Sequence, residues 1–195
     1  GHSQKSYEPS VPCIGAAGRP IEAPIPPGFP GADGFAAADH DLAKAKTLLS
    51  AAGHPNGFTT EATFPNLNAY GIDLSQLMQR VQQDLTRIGI TLRLQPVPFS
   101  TWRERLQSEG IPVTASYYAP DYFGTGQYAK YFAMTPQSVW GQRAGIDNET
   151  AAELYRRALA ASAADADAIW HLLGQQMIDD KVILPIVNPS LVLAY

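Results

Sequence analysis

The stretch DLSQLMQRVQQDLTRIGITLRLQPV, residues 73–97, contains the pattern that decides the fold. Its first half places apolar residues at helical spacing, namely Leu74, Leu77, Met78, Val81, Leu85 and Ile88. Gly89 ends that pattern, and strict alternation follows, with apolar residues at Ile90, Leu92 and Leu94. The stretch therefore predicts a helix that begins after Asp73, ends at Gly89 and leads directly into a half-buried strand.

Segments on either side of this stretch predict further strands and helices. DHDLAKAKTLLSAAG (39–53) predicts a helix with an aspartate cap, and FTTEATF (58–64) predicts a strand. Another strand is predicted over 113–119, and VILPIVNPSLVLAY (182–195) predicts two short strands with a break at Asn188-Pro189. Because strands are linked through helices, we expect an α/β fold with a mixed or largely parallel sheet flanked by helices.

Three further helices are predicted from their capping residues. Thr101 and Glu104 have the spacing of a capping box. Asn148 and Asp165 are suitable caps for two later helices. The predicted helices cover about residues 102–108, 149–162 and 165–180. The last two are expected to bury Leu154, Ala158 and Leu159, and then Ile169, Leu172, Leu173 and Met177. The three tryptophans are interpreted as packing residues, namely Trp102, Trp140 and Trp170.

Residues 1–37 are predicted to be an extended lead-in that precedes a single α/β lobe of residues 38–195. GAAGRPIEAPIPPGFPGADGF (15–35) contains five prolines, which exclude a helix interior and a central strand. Two interpretations stay open, because the segment is either a linker or an ordered stretch that runs over the surface of the lobe. Gly1-His2 is typical of the remnant of a cleaved tag, so we expect the chain to be part of a longer one.

Composition describes a globular protein and excludes several classes of partner. The chain is 45% hydrophobic and 16% charged, which is the range of folded domains. Its net charge of −4 and the lack of a basic run argue against a nucleic-acid partner. No apolar run reaches the roughly 18–20 residues that span a bilayer. Cys13 is the single cysteine and has no metal-ligand spacing around it, so we expect no internal disulfide, no metal and no other cofactor.

Catalytic motifs are not evident, and we expect a binding protein rather than an enzyme. The chain contains no G-x-S-x-G motif, and its four histidines lack zinc-site spacing. Residues 124–129, GTGQYA, do match the dinucleotide-binding pattern G-x-G-x-x-A. Four residues, PDYF (120–123), separate this match from the preceding predicted strand, whereas the fingerprint follows its strand directly. A nucleotide-dependent enzyme stays open as an alternative.

The stretch ASYYAPDYFGTGQYAKYF (115–132) surrounds one carboxylate, Asp121, with aromatic residues. A carboxylate in partly dry surroundings needs a positive partner. Lys130 or Arg143 of this chain is one candidate, and a cationic ligand group such as an α-ammonium is the other. In the second case a pocket would be lined by Tyr117, Tyr118, Tyr122 and Phe123. Since residues of a strand alternate between its faces, one of Tyr117 and Tyr118 is expected in the core.

Four segments resemble a known family, in the family's own order. They are DLAKAKTLLSAAGHPNGF (41–58), LMQRVQQDLTRIGITLRLQPVPFSTWRERL (77–106), YYAPDY (117–122) and LPIVNPSLVLAY (184–195). Together they resemble the family-5 extracellular solute-binding proteins, the dipeptide- and oligopeptide-binding group of ABC importers. The resemblance covers residues 20–195.

This resemblance implies a type II, two-lobed fold like that of periplasmic binding proteins, closing on its ligand like a clam. The chain would be most of the second lobe, without the first lobe. It also implies an extracytoplasmic protein, either periplasmic or, in full length, lipid-anchored at the outer face of the membrane, that delivers its ligand to an ABC permease. In peptide-binding members the aspartate at the position of Asp121 pairs with the peptide's α-ammonium.

One departure from the family leaves the cargo open. Members usually continue D-Y-P-D-P after the acid, but here Phe123 and Gly124 follow Asp121-Tyr122. Peptides or similar amine-bearing solutes are the leading prediction. Relatives also carry opines, oligosaccharides, nickel complexes and glutathione, so these stay alternatives, as does a lobe that binds a partner protein through its aromatic loop.

Overall fold

The computed structural model describes residues 18–21, 23–35, 40–108, 110–132, 148–181 and 183–189. Cys13, Trp140, Arg143 and the last predicted strand lie outside the described residues. The chain forms two compact units. The first contains Gly1–Arg19, Asp39–Tyr117 and Pro189–Tyr195, and the second contains Pro20–Ala38 and Tyr118–Asn188.

Twelve helices and strands lie in the described part of the chain. In chain order they are β1 (Gly18–Pro20), α1 (Leu42–Ala51), β2 (Thr59–Pro65), β3 (Asn68–Ala69), β4 (Ile72–Asp73), α2 (Leu74–Thr86), β5 (Thr91–Val97), α3 (Phe99–Ser108), α4 (Thr125–Phe132), α5 (Glu149–Ala160), α6 (Ala163–Asp179) and β6 (Val187–Pro189). The predicted α/β class is confirmed, with parallel pairing of β2 with β5 and antiparallel pairing of β3 with β4.

The first unit is built on the parallel pair β2 and β5, in register from Thr59 opposite Thr91 to Pro65 opposite Val97. Helix α2 connects β4 to β5 and begins as predicted, because the Asp73 carboxylate accepts hydrogen bonds from the first free amides. Its predicted apolar face is buried at Leu74, Leu77 and Met78. The core of this unit also contains Ala62, Phe64, Leu92, Trp102 and Leu106.

The predicted strand over 113–119 is wrong, because only Val113 pairs with β2, in a single parallel bridge to Ala62. The Thr63 amide donates to the Val113 carbonyl at 3.1 Å. The Thr63 carbonyl then accepts from Oγ1 of Thr114 at 2.7 Å. A side chain therefore occupies the acceptor that the next backbone rung of a parallel ladder would need.

Helix α3 begins at Phe99, three residues before its predicted start. The Pro98 carbonyl accepts from the Trp102 amide at 3.0 Å, so Pro98 begins the helix and Thr101 lies inside it. Trp102 is 5% exposed, in agreement with its interpretation as a packing residue. Its Nε1 donates to Oγ1 of Thr114 at 2.8 Å.

The second unit contains a helix, α4, where the sequence predicts a loop. Tyr128 and Ala129 of this helix are 7% and 2% exposed. One face of this helix therefore packs into the core of the second unit.

Helices α5 and α6 supply most of the core of the second unit. Asn148 caps α5 as predicted, and its Oδ1 accepts from the Ala151 amide at 3.0 Å. The cap of α6 is Ser162 rather than Asp165, since Oγ of Ser162 accepts from the Asp165 amide. Buried residues of the pair are Ala151, Leu154, Ala158, Ala166, Trp170, Leu173 and Met177.

Two leucines predicted to be buried in these helices are exposed. Leu159 is 60% exposed and Leu172 is 52% exposed. The buried face of α6 contains Ala166, Trp170 and Met177, and Leu172 lies on roughly the opposite side of the helix from Trp170.

Residues 23–35 pack against the helices of the second unit. Ile25 is 3% exposed and Ala23 is 8% exposed. The amide of Gly31 donates to Oδ1 of Asp167 at 2.7 Å, and Oγ1 of Thr125 donates to the Pro30 carbonyl at 2.6 Å. Gly31 has a positive φ of 76°, and a Cβ there would lie 2.6 Å from the backbone nitrogen of His171, so only glycine allows this approach.

Strands β1 and β6 form a two-stranded sheet, and the boundary between the units falls within each of them. Strand β6 runs through Asn188-Pro189, so the predicted break at this pair is wrong. Proline lacks an amide donor but is tolerated at the end of an edge strand.

Candidate functional site

Asp121 lies on an irregular loop between Tyr118 and the start of α4. Its side chain is exposed, and none of the ion pairs between described residues includes it. Lys130, the nearer cation in the sequence, is also exposed and does not pair with it. Within the described part of the chain, the carboxylate of Asp121 is therefore available to a cation from outside.

Gln127, in the first turn of α4, holds the loop that carries Asp121. Its Oε1 accepts from the Asp121 amide at 2.8 Å and from the Tyr118 hydroxyl at 3.2 Å. Its Nε2 donates to the Tyr122 carbonyl. Gln127 is 7% exposed, so one buried amide connects three points of the loop. Gln127 was not predicted from the sequence, because its contacts depend on helix α4, which was expected to be a loop.

Tyr118 supports this loop through contacts with aromatic residues of α4. Its ring stacks on Tyr131 at 4.5 Å and meets Tyr128 and Phe132 edge-on at 5.2 and 5.6 Å. Burial raises the pKa of Tyr118, and the nearby Asp121 carboxylate raises it further. The hydroxyl thus stays protonated and continues to donate to Gln127.

Tyr122 and Phe123 are the most exposed aromatic residues described in the second unit. Tyr122 is 66% exposed and Phe123 is 71% exposed. Phe123 stacks on Phe29 with ring centroids 4.5 Å apart, and Phe29 in turn meets Tyr128 edge-on at 5.1 Å. Two flat apolar surfaces therefore follow Asp121 directly in the chain, where they can contact the apolar part of a ligand.

Tyr117 belongs to the first unit, unlike the other four predicted ligand-binding residues. Its ring is 38% exposed and meets Tyr70 edge-on at 5.9 Å. The structure brings Tyr118, Asp121, Tyr122 and Phe123 together on one loop of the second unit.

The glycine-rich match at 124–129 lacks the surroundings of a nucleotide site. No strand is assigned in residues 114–124, which precede it. The Thr125 hydroxyl donates to the Pro30 carbonyl, and the side-chain amide of Gln127 accepts from the Asp121 amide. These polar side chains serve internal contacts of the second unit.

An open pocket of about 460 Å³ lies between residues 29–34 and helix α6. It is lined by Phe29, Gly31, Ala32, Asp33, Gly34, Asp167, Ala168, His171 and Leu172. Phe29 connects this pocket to the aromatic surface at Phe123. Among the described residues, no group of three or more His, Cys, Asp or Glu side chains is arranged to hold a metal ion.

Comparison with known families identifies the chain. The family model for bacterial extracellular solute-binding proteins, family 5 Middle, matches residues 14–140, more than half of the sequence. The chain belongs to this family. The family is one of solute-binding proteins that serve ABC importers, not of enzymes. No curated protein sequence matches the chain.

Solved structures of family members share this fold. The periplasmic binding protein DppA from Helicobacter pylori, in complex with the peptide STSA, has a TM-score of 0.75 at 19% identity over 88% of this chain. A dipeptide-binding protein from Pseudoalteromonas sp. SM9913, in complex with Met-Leu, has a TM-score of 0.78 at 17% identity over 89%. AgaA from A. tumefaciens R10, in complex with agropinic acid, has a TM-score of 0.72 at 18% identity over 91%.

The matched region is only part of each of these proteins. The chain covers 34%, 35% and 36% of their respective lengths, about a third in each case. The fold is that of one lobe of a type II periplasmic binding protein, as the sequence analysis predicted. None of the described helices is both long and apolar enough to cross a membrane.

Proposed function

We propose that this solute-binding protein captures peptides or similar amine-bearing solutes, with Asp121 binding the ammonium group. The observation that carries the proposal is an exposed carboxylate, without a counter-ion among the described residues, on a loop that a buried glutamine holds in place. A fixed carboxylate binds an ammonium through charge-assisted hydrogen bonds. The adjacent Tyr122 and Phe123 offer apolar surface to the rest of the ligand.

In the whole protein the ligand would lie in a cleft between this lobe and a first lobe. We further propose that the protein works outside the cytoplasm, in the periplasm or lipid-anchored at the outer face of the membrane, and delivers its ligand to an ABC permease. Family membership supports this role. The cited relatives differ in their ligands, since two were solved with peptides and one with agropinic acid. Family membership therefore supports the transport role more directly than it supports the identity of the cargo.

An NMR shift titration of the chain tests the proposal. One titration uses a mixture of di- to pentapeptides with free amino termini, and the matched control uses the same peptides after N-acetylation. We expect shifts around Asp121, Tyr122 and Phe123 with the free peptides and their loss on acetylation, because acetylation removes the positive charge. Shifts that survive acetylation would contradict an amine-bearing cargo and indicate an uncharged one. No shift with either mixture would contradict peptide binding by this chain.

A further inference from the structure

We propose that Gln127 is a positioning residue for the ligand carboxylate, in that it fixes the backbone of Asp121 before the ligand arrives. This inference rests on the proposed function of Asp121. The amide of Asp121 and the carbonyl of Tyr122 are both bound by the same side chain, one through Oε1 and the other through Nε2. The peptide groups before Asp121 and after Tyr122 are thereby held, which restrains the two residues between them.

Glutamine is suited to this position because it carries an acceptor and a donor on one planar group. Glutamate would lose the donor to Tyr122, and methionine would lose all three contacts while keeping a similar volume. Gln127 is 7% exposed. Because the second unit shields this side chain, water does not readily replace its hydrogen bonds. The third partner, the Tyr118 hydroxyl, connects the same amide to the aromatic cluster on α4.

Fixing the loop in advance affects affinity through the cost of ordering it. If the loop were free, ligand binding would have to restrict the backbone of Asp121 at that moment. The conformational entropy of one backbone residue corresponds to about a factor of ten. In this chain the loss of affinity is limited to about fivefold, which is what an exposed ion pair contributes. Because Asp121 contacts only the ammonium, this loss should be specific to ligands with a free amine.

The test compares three versions of the full 195-residue chain: the unchanged protein, Gln127→Met and Thr125→Val. Thr125 is the matched control, because it is a buried polar residue of the same helix whose hydroxyl donates to the Pro30 carbonyl instead of the Asp121 loop. The first measurement is the solvent exchange rate of the Asp121 amide. The second is the ratio of affinities for free and N-acetylated di- to pentapeptides.

We expect the Asp121 amide of the unchanged protein to exchange more slowly than the amides of Tyr122 and Phe123, for which no acceptor is described. Gln127→Met should raise the Asp121 exchange rate by about tenfold. It should lower the preference for free peptides by up to about fivefold, the most that an exposed ion pair contributes. Thr125→Val should leave both at the values of the unchanged protein. A merely structural defect would weaken both peptide mixtures equally and leave their ratio unchanged.

Two results would overturn the inference. One is an Asp121 amide in the unchanged protein that exchanges as fast as that of Tyr122, a measurement that needs no variant. The other is Gln127→Met with an unchanged affinity ratio. By contrast, equal affinity of the unchanged protein for free and acetylated peptides would contradict the proposed function, while the exchange rates would still decide whether Gln127 holds the loop.

Discussion

Asp121 is exposed in this chain, and the strength of its interaction with an ammonium depends on how much water surrounds the pair. Exposed ion pairs contribute about 0.2–1 kcal/mol, whereas removing one partner of a buried pair costs about 2–5 kcal/mol. We therefore predict that Asp121→Asn weakens an amine ligand by about 30-fold or more in the two-lobed protein, where closure removes water. In the present chain the same substitution should weaken it by only about fivefold or less.

Calorimetry on the two-lobed protein and NMR titration on the present chain would measure these two affinities. Asparagine keeps the shape of the side chain and removes its charge, so the comparison isolates the electrostatic contribution. An equal loss in both proteins would contradict the role of closure, and no loss in either would remove Asp121 from the site.

Tyr128 predicts a dependence of stability on alkaline pH. Burial raises its pKa from 10.0 to about 12 in the folded protein, and Tyr118 contributes a smaller increase. Because the folded pKa lies above the unfolded one, this stabilisation is complete below pH 10 and is lost as the pH rises towards 12. The free energy of unfolding, measured by urea denaturation, should fall over this range. It should fall less steeply in Tyr128→Phe, and parallel curves for the two proteins would contradict the assignment.

At the level of single residues, the sequence indicated the acid but not what holds it. Asp121 stood out because charge among aromatic residues is rare and costly. Gln127 did not, because its contacts depend on a helix, α4, that the sequence analysis assigned to a loop. Nor did the sequence indicate which of the aromatic residues pack internally. Tyr118 packs on α4, whereas Phe123 is exposed.

Among the elements, β2 and β5 begin side by side because the backbones of Gly57 and Gly89, which precede them, are in close contact. Gly57 has a φ of 76°, and a Cβ there would lie 1.9 Å from the Gly89 carbonyl oxygen. Gly53 has a similar φ of 86° but nothing within 4 Å of its Cβ position, so it is a matched control. We predict that Gly53→Ala costs about 1–2 kcal/mol, for backbone strain alone. Gly57→Ala should cost clearly more, because the Gly89 backbone must move.

Chemical denaturation of both glycine variants would measure this difference. Equal losses of stability would show that the close approach of Gly57 and Gly89 is relieved by a small shift, and that only the positive φ matters.

Helices were easier to predict than strands, for a local reason. The caps at Asp73 and Asn148 and the spacing of Leu74, Leu77 and Met78 act within a few residues. The extent of a strand depends on a distant partner, and the ladder to β2 stops after Val113 because the Thr114 side chain takes the Thr63 carbonyl. That competition between a hydroxyl and a backbone amide has no signature in the local sequence.

For the whole molecule, substitution within the predicted lead-in of residues 1–37 can test whether it is a linker or an ordered segment. Ile25 is 3% exposed, and Leu184, in the same unit, is 78% exposed. We predict that Ile25→Ala lowers the free energy of unfolding by about 2–5 kcal/mol, since it leaves a cavity. Leu184→Ala should change it by only about 0.5 kcal/mol or less. Hydrogen exchange of the α6 amides would measure the loss of stability. An unchanged free energy of unfolding in Ile25→Ala would favour a linker.

The family assignment and the domain boundaries differ in how far they could be predicted. Motifs at 41–58 and 77–106 identified the family, and the family model confirms it. The boundary at residue 37 remains a prediction. It was based on prolines, which show where helices are excluded but not which surface an extended segment contacts.

The bond between Gly31 and Asp167, 136 residues apart, has a consequence for how the protein is made. At a synthesis rate of about 5–20 residues per second, α6 leaves the ribosome roughly 7–27 s after the segment that it will cover. Throughout this interval Ile25 lacks Gly174 of α6, which its side chain contacts in the folded protein. Strands β2 and β5 are much closer in the chain and can pair long before the second unit is complete. The nascent protein is therefore expected to mature in two stages, with the loop that carries Asp121 in the later one.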